Sequence, residues 1–367
     1  MKRKILLFNC FIFFAMTAFA QNQKEIIYVG TYSQKGEGIY VYEFDRKNLA
    51  TKQIQILANK NSPSFLELHP NKKYLYSANE ENGTISAYKI DPASGKLSAL
   101  NTQPAQGSGS CHVSVDPKGR FIYVSNYGSG DLAVYLLNKD GSIGTLVDTI
   151  QDKGATSQKP HMHSIIPSAD GQFVYASDLG IDKIMVYQVD QQTGKLTPGA
   201  VPYVEVKSGD GPRHLAIHPN GNFAYSAGEL SSSVNSFQIV KNSGALVPLE
   251  RVSMLPADFK GKSFAADIHF SPDRKFLYAS NRGHESLAIY AVNAQTGKLT
   301  IAGHADTHGK HPRNFNMDAS GDLLFVANRD NNNVVIFTRN KENGQLTYTG
   351  KEMSIPTPVC VKILGLE

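Results

Sequence analysis

The sequence predicts an all-β protein, namely a seven-bladed β-propeller built from four-stranded antiparallel blades. One segment pattern recurs about every 50 residues, which is the period of propeller blades. Gly and Pro punctuate every segment, and no long stretch has helical periodicity. Six copies of the pattern are complete, and a seventh is split between the two ends of the chain. These observations together favour a closed ring of repeats.

Each complete copy contains a turn, an aromatic alternating strand, a second alternating strand and a Gly-x-Leu or Gly-x-Ile turn. In the first copy these parts are residues 70–73, 74–79, 84–90 and 95–97. Alternation of apolar and polar residues is typical of strands with one face in a core. The aromatic strands of the six copies end, in chain order, at Asn79, Asn126, Asp178, Gly228, Asn281 and Asn328.

The seventh copy predicts how the ring closes. Residues 26–31 supply its aromatic strand and residues 358–363 supply its inner strand, so the N-terminal and C-terminal strands should pair in one blade. Closure removes open sheet edges, which would otherwise favour aggregation. A chain of 367 residues would normally suggest two domains. Because repeats can absorb that length, we expect residues 21–367 to form a single propeller domain.

The N-terminus has the pattern of a secretory signal peptide over residues 1–20. Lys2, Arg3 and Lys4 precede an apolar run, which ends in the small-residue pattern Ala18-Phe19-Ala20. The run is too short for a comfortable membrane span. We therefore expect a soluble mature protein that is exported to the periplasm or secreted, with no membrane span.

The mature chain would keep two cysteines, Cys111 and Cys360. They fall on inner strands of blades that are not adjacent, which makes the approach needed for a disulfide doubtful, so we expect two buried thiols. The net charge of +5 includes the three basic residues of the signal segment, and nothing in the remainder indicates nucleic acid binding. The oligomeric state stays open.

Positions that only build the scaffold can vary between repeats without consequence. A position where one copy carries a reactive side chain and the others do not is therefore a candidate for function. Aligned on the inner turns, the inner strands of the six copies carry Ser64, Cys111, His163, Arg213, Ala266 and Arg313 at one position. The next position holds Phe65, His112, Ser164, His214, Asp267 and Asn314. Because an inner strand and the following strand form a hairpin, the start of the first lies beside the end of the second.

This pairing predicts a cluster of imidazole, guanidinium and carboxylate groups at one end of the channel. Its members are His112, His161, His163, Arg213, His214, Glu229, Asp267, His269, Arg282 and Arg313. Such a cluster would bind a small anionic molecule and shift the pKa values of its members. Side chains alternate along a strand, and the sequence alone does not decide which of two successive residues faces the channel.

Other motifs are weaker or absent. His304, His308 and His311 lie in a glycine-containing loop with a spacing that hints at a metal site. Zinc sites usually show tighter spacing on ordered elements or a partner carboxylate, and we expect no metal or organic cofactor. The sequence contains no Gly-x-Ser-x-Gly elbow, phosphate loop, dinucleotide fingerprint or Cys-x-x-Cys pair. Serine hydrolase, kinase and dehydrogenase functions therefore lack their usual signals.

The chain resembles the seven-bladed propeller lactonases, the family of bacterial 6-phosphogluconolactonase, with fungal carboxymuconate lactonizing enzymes as relatives. The resemblance covers essentially the whole chain after the signal segment. It rests on residues 126–128, 160–164, 178–182, 211–214, 229–234, 266–269, 280–283 and 312–315. Members of the family often have Asn at the position of Gly228 and Glu at that of Asp267, and neither difference removes a charge.

The resemblance implies hydrolysis or formation of a lactone ring without a required cofactor. It implies catalytic roles for His163, Arg213, Glu229 and Arg282. His112, His161, His214, Asp267, His269 and Arg313 are then the expected substrate-binding residues. Hydrolysis needs a general base, for which His163 and Glu229 are candidates, and positive charge for the oxyanion, for which Arg213 and Arg282 are candidates.

Two other functions stay open at this point. A cycloisomerase that closes an unsaturated diacid into a lactone would use the same arginines to bind carboxylates. A propeller that only binds a partner would share the fold without the chemistry. The predicted export favours an unphosphorylated sugar lactone as substrate, because phosphogluconolactone is made inside the cell.

Overall fold

The protein is a closed ring of seven four-stranded antiparallel blades, as seen in a computed structural model that describes residues 24–151 and 158–366. The predicted signal segment lies outside the described residues. The seven inner strands are β4 (Pro63–Leu68), β8 (Ser110–Val115), β12 (Met162–Pro167), β16 (Pro212–Ile217), β20 (Phe264–Phe270), β24 (Pro312–Met317) and β28 (Pro358–Gly365). The second strands are β1 (Glu25–Thr31), β5 (Tyr74–Asn79), β9 (Phe121–Asn126), β13 (Phe173–Asp178), β17 (Phe223–Gly228), β21 (Phe276–Arg282) and β25 (Leu323–Asn328).

The other two strands of each blade lie progressively further from the channel. The third strands are β2 (Gly38–Asp45), β6 (Thr84–Ile90), β10 (Asp131–Leu137), β14 (Lys183–Val189), β18 (Ser233–Val240), β22 (Ser286–Val292) and β26 (Asn333–Arg339). The outer strands are β3 (Ala50–Ala58), β7 (Leu97–Pro104), β11 (Ile143–Gln151), β15 (Leu196–Glu205), β19 (Ala245–Ser253), β23 (Leu299–Asp306) and β27 (Leu346–Ser354).

The ring closes as the sequence predicts. β28 pairs with β1, with Val29 opposite Val361, and this sheet also contains β2 and β3. Each inner strand contacts the inner strands of both neighbouring blades. Within the two described ranges, no helix has the length and apolar character needed to cross a membrane.

The recurring aromatic residue and the recurring Gly-x-Leu turn bind neighbouring blades to each other. The hydroxyl of buried Tyr28 donates to the carbonyl oxygen of Gly95 in the next blade at 2.8 Å. Tyr225 donates to the Gly297 oxygen in the same way, also at 2.8 Å. Gly95 has a φ of +73° and its α-carbon lies against Ile26, so a larger residue would be strained and would collide. The repeat pattern therefore encodes contacts between blades as well as strands.

Candidate active site

A β-bulge near the start of every inner strand decides which side chains face the channel. Strand pairing shifts register at these points, and the bulged positions include Ser64, Cys111, His163, Arg213, Ala266, Arg313 and Val359. A bulge breaks strict alternation and re-aims side chains. Successive residues, such as Arg213 and His214, therefore both line a cavity in the channel. We call the channel end where the inner strands begin the mouth.

A second ring of residues surrounds the mouth, at or just past the end of each second strand. Its members are Tyr32, Glu80, Tyr127, Leu179, Glu229, Arg282 and Arg329. We call this ring the rim. Hairpin pairing places the rim beside the bulges, as in the blade of β16 and β17, where Pro212 pairs with Gly228. Charged rim residues can therefore contact the charged bulge residues.

Glu229 joins two guanidinium groups at the mouth. Its Oε2 atom lies 2.9 Å from Nε of Arg213, and its Oε1 atom lies 2.9 Å from Nη2 of Arg282. Both arginines also donate to backbone carbonyl oxygens, Arg213 to Ala266 and Arg282 to Ala265. Arg213 is almost completely buried. The two positive groups are thus held in fixed positions by one carboxylate and the backbone of β20.

The charges in this cluster shift one another's pKa values. Burial alone would raise the pKa of Glu229, but Arg213 and Arg282 hold it below its usual value. Burial and the neighbouring Arg313 lower the pKa of Arg213 to about 10. All of these groups are therefore charged at neutral pH.

Arg313 brings a third positive charge to the mouth. Its guanidinium lies 5.2 Å from the ring centre of Tyr32, whose hydroxyl donates to Glu80 at 3.0 Å. Among the residues that the structure describes, Arg313 forms no ion pair within 4.0 Å. Burial opposes its charge, but Tyr32 and Glu80 raise its pKa. The mouth thus carries a partly buried positive group with no ion-pair partner in the described part of the chain.

Two histidines stand on the other side of the mouth. His161 stacks on Tyr127 with ring centres 4.4 Å apart, and His163 meets the edge of the same tyrosine at 5.6 Å. The Nδ1 atom of His161 lies 2.8 Å from the Tyr127 backbone oxygen. Burial and Arg213 hold the pKa of His163 far below its usual value. His163 is therefore neutral at physiological pH.

Deeper in the channel, Asp267 is the centre of a second polar group. Its Oδ1 atom lies 2.7 Å from Nδ1 of His214, and its Oδ2 atom lies 2.8 Å from Nε2 of His269. The side-chain amide of Asn314 also donates to Oδ2. Below them, Lys362 pairs with Glu67 at 2.6 Å beside a cavity of about 360 Å³. We call this region the lower channel.

The ten residues predicted from sequence therefore lie in two layers. His161, His163, Arg213, Glu229, Arg282 and Arg313 are at the mouth. His112, Asp267 and His269 line the lower channel, and His214 lines both the lower channel and a small cavity between the layers. Sequence reasoning omitted the rim residues Tyr32 and Glu80. Comparing the residue after the second strand in every copy would have found them.

The remaining candidates from the sequence have separate partners. His304 hydrogen-bonds to the Met254 carbonyl oxygen, His308 stacks on Tyr348, and His311 lies beside Asp330. Within residues 24–151 and 158–366, no group of three or more His, Cys, Asp or Glu side chains has the geometry of a metal site. Cys111 and Cys360 are buried free thiols.

The described fold and sequence match known proteins along almost their whole length. The family model described as "Lactonase, 7-bladed beta-propeller" matches residues 26–363. The 6-phosphogluconolactonase of Bacillus subtilis is 36% identical over 348 residues, which are 93% of this chain and 99% of that protein. The 6-phosphogluconolactonase of Formosa agariphila is 35% identical over 315 residues, covering 82% of this chain and 88% of that protein.

A solved structure has the same architecture. The periplasmic gluconolactonase of Pseudomonas aeruginosa superimposes with a TM-score of 0.88 at 30% sequence identity. The superposition covers 94% of this chain and all of that one.

Proposed function

This chain belongs to the seven-bladed β-propeller lactonase family, and on that premise we propose that it hydrolyses an anionic, sugar-type lactone at the mouth of its channel. The enzyme class, a lactone hydrolase resembling 6-phosphogluconolactonase, follows from relatives of that name at 35% and 36% identity. The substrate and the position of the site are our proposals.

The observation that carries the proposal is the excess of positive charge at the mouth. Arg213 and Arg282 share the carboxylate of Glu229, and Arg313 has no ion-pair partner in the described part of the chain. Positive groups held in a partly dry site stabilise an oxyanion at little reorganisation cost. We assign that role to Arg213 and Arg282. Arg313 would then bind an anionic group of the substrate.

The geometry also narrows the choice of general base. Both oxygens of Glu229 are occupied by guanidinium groups, and its lowered pKa makes it a poor proton acceptor. His163 and His214 are neutral and lie next to Arg213. This supports an imidazole as the general base and assigns Glu229 to positioning the arginines.

We further propose that the enzyme acts outside the cytoplasm. The signal pattern of residues 1–20 supports this, and so does the likeness to a gluconolactonase that is periplasmic in Pseudomonas aeruginosa. A substrate met there would lack the phosphate of intracellular sugars. A carboxylate-bearing sugar lactone fits both the compartment and the surplus positive charge.

The test is proton release by purified protein over a panel of sugar and aliphatic lactones, with and without a carboxylate or a phosphate. We expect turnover of carboxylated sugar lactones and at least a 100-fold lower kcat/KM in Arg213→Ala. Arg46→Ala is the matched control, because Arg46 also contacts two carboxylates, Glu25 and Asp318, but lies far from the mouth.

Two outcomes would contradict the proposal. The absence of turnover on the whole panel would remove the hydrolase assignment for these substrates. A product with the same mass as the substrate would indicate cycloisomerisation, since hydrolysis adds one water molecule.

A further inference from the structure

A small cavity lies between the mouth and the lower channel. Its volume is about 10 Å³, which is about the room that one water molecule requires. Its lining includes Ser64, Arg213, His214, Arg313 and Asn314. The cavity therefore adjoins the arginines that face the substrate and the histidine that reaches down to Asp267.

The surroundings of Asp267 fix the orientation of the His214 ring. Oδ1 of Asp267 accepts the backbone N–H of Ile268 at 3.0 Å, and Oδ2 accepts from the Asn314 amide. Although burial opposes ionisation, His269 and His214 hold the pKa of Asp267 far below its usual value. The ionised carboxylate can only accept hydrogen bonds, so Nδ1 of neutral His214 carries the proton. Its Nε2 is then an acceptor on the opposite edge of the ring.

Residues that line the cavity include buried polar atoms without a hydrogen-bond partner among the described residues. Nε2 of His214 and Oγ of Ser64 are two such atoms. A buried polar atom without a partner typically costs about 1–3 kcal/mol, and it calls for a specific explanation. A water molecule in the cavity would satisfy both atoms.

We propose that this cavity holds the water that attacks the lactone, and that His214, positioned by Asp267, is the base that takes its proton. The proposal rests on the proposed lactone hydrolysis and deepens it. Ser64 orients the water through its hydroxyl, and Asp267 is a positioning residue that does not touch the substrate.

The step conserves atoms and charge. The water oxygen forms a bond to the lactone carbonyl carbon while its proton moves to Nε2 of His214, and Arg213 stabilises the resulting oxyanion. Collapse of the tetrahedral intermediate breaks the bond between that carbon and the ring oxygen. The leaving alkoxide then takes the proton from His214, which gives the hydroxy acid and restores the neutral imidazole.

The carboxylate of Asp267 makes His214 a better base than His163. Proton transfer creates an imidazolium, and a hydrogen-bonded carboxylate stabilises that cation, as in serine hydrolases. Among the described residues, His163 has no carboxylate contact of this kind, and Arg213 and Arg313 both oppose its protonation. Its side-chain contacts include Tyr127, the Cys111 thiol and the edge of the His214 ring.

The charges around His214 predict its pH behaviour. Burial and Arg213 lower its pKa to about 4, against the opposing effect of Asp267, while His269 also lowers it. The neighbouring rings of His112 and His163 are themselves kept neutral by burial. The acid limb of kcat/KM should therefore fall near pH 4, because the base must be unprotonated.

The main variant is His214→Asn, which keeps an N–H group near the position of Nδ1 and lacks Nε2. We expect kcat to fall about 100-fold or more, with a KM within about threefold of wild type. His163→Gln should lower kcat less than about 10-fold. Asp267→Asn should lower kcat and move the acid limb of the pH profile to lower pH, which a purely structural role would not do.

Ser64→Ala separates function from stability. Because the Ser64 hydroxyl has no protein partner among the described residues, its removal should not lower the melting temperature, but kcat should fall about 3- to 10-fold. Ser226→Ala is the matched control, since the Ser226 hydroxyl is also buried and unpartnered within that part of the chain but does not line the cavity. It should leave kcat unchanged.

The ring tautomer gives a readout that does not depend on activity. In ¹⁵N-histidine NMR spectra of the wild-type protein, His214 should carry its proton on Nδ1. A proton on Nε2 would overturn the proposal, and so would an active wild type whose folded His214→Asn variant keeps its kcat. Failure of the wild type to hydrolyse any lactone, with His214 in the expected tautomer, would instead count against the proposed function.

Discussion

The mouth and the lower channel contain similar residues but pair their charges differently. In the lower channel, Asp267 is bonded to two histidines and Lys362 is paired with Glu67. At the mouth, Arg213 and Arg282 share Glu229, and the nearby Arg313 adds a third positive charge. In the lower channel Asp267, Lys362 and Glu67 each have a bonded partner, whereas the mouth retains positive charge that a ligand could neutralise.

This difference separates structural polar groups from functional ones. Burying a charge is costly unless it is paired, so a fully paired couple such as Lys362 and Glu67 can serve stability alone. A charged group without a bonded partner in a cleft is a candidate for function. His214 lines both the lower channel and the small cavity; its Nδ1 is paired with Asp267, and its Nε2 has no partner among the described residues.

The comparison can be tested by replacing one glutamate with glutamine in each region, and the largest loss of activity should come from the glutamate at the mouth. Glu229→Gln removes the negative charge between Arg213 and Arg282, so the two guanidiniums repel each other and lose their fixed positions. We expect kcat/KM for the best lactone of the panel to fall about 100-fold. Steady-state kinetics at pH 7 measures it.

Glu67→Gln is the matched substitution in the lower channel. It removes the charge that pairs with Lys362, and we expect kcat/KM within about twofold of wild type and a melting temperature lower by a few degrees. Equal losses of activity in the two variants would contradict a functional role for Glu229 and a structural role for the pair of Glu67 and Lys362.

An effect of intermediate size is expected on the free energy of unfolding, which should decrease as the pH falls. Burial keeps the pKa values of His112, His163 and His214 below the value of about 6.5 in the unfolded chain. The unfolded state therefore binds more protons below pH 6.5, and stability decreases as the pH falls from there toward about 4. Each such histidine contributes about 1.4 kcal/mol per pH unit.

Calorimetric melting at pH 7 and pH 5 measures this slope. His112→Gln stays neutral at both values and should show a smaller decrease than wild type. Identical decreases would show that His112 is protonated in the folded state or remains buried on unfolding.

The fold was predictable because the blades repeat one pattern of strands and turns. Several copies use an aromatic residue such as Tyr28 and a turn glycine such as Gly95 to contact the neighbouring blade, so the repeat is visible in the sequence. Closure through β1 and β28 followed from the split seventh copy, and the structure confirms it.

The sequence predicted which residues line the channel, but not how far along the channel each of them lies. Strict alternation would let only one of Arg213 and His214 face the channel, and the bulge in β16 brings both to the small cavity. A bulge depends on the pairing of two strands, which the composition of one strand does not reveal. The separation of His269 from the mouth has the same origin, because position along the strand sets depth.

The smallest effect is expected at Cys111, although it lies beside a histidine. The sulfur is 4.0 Å from Nδ1 of His163, a pairing that resembles a cysteine nucleophile and its base. Burial raises the pKa of the thiol to about 12, and its sulfur lies 3.4 Å from the His163 carbonyl oxygen. A thiol that stays protonated is a poor nucleophile, so Cys111→Ala should keep kcat/KM within about threefold and iodoacetamide should not inactivate the wild type. A covalent acyl-enzyme on Cys111, detected by mass spectrometry during turnover, would transfer the attack on the lactone from water to sulfur.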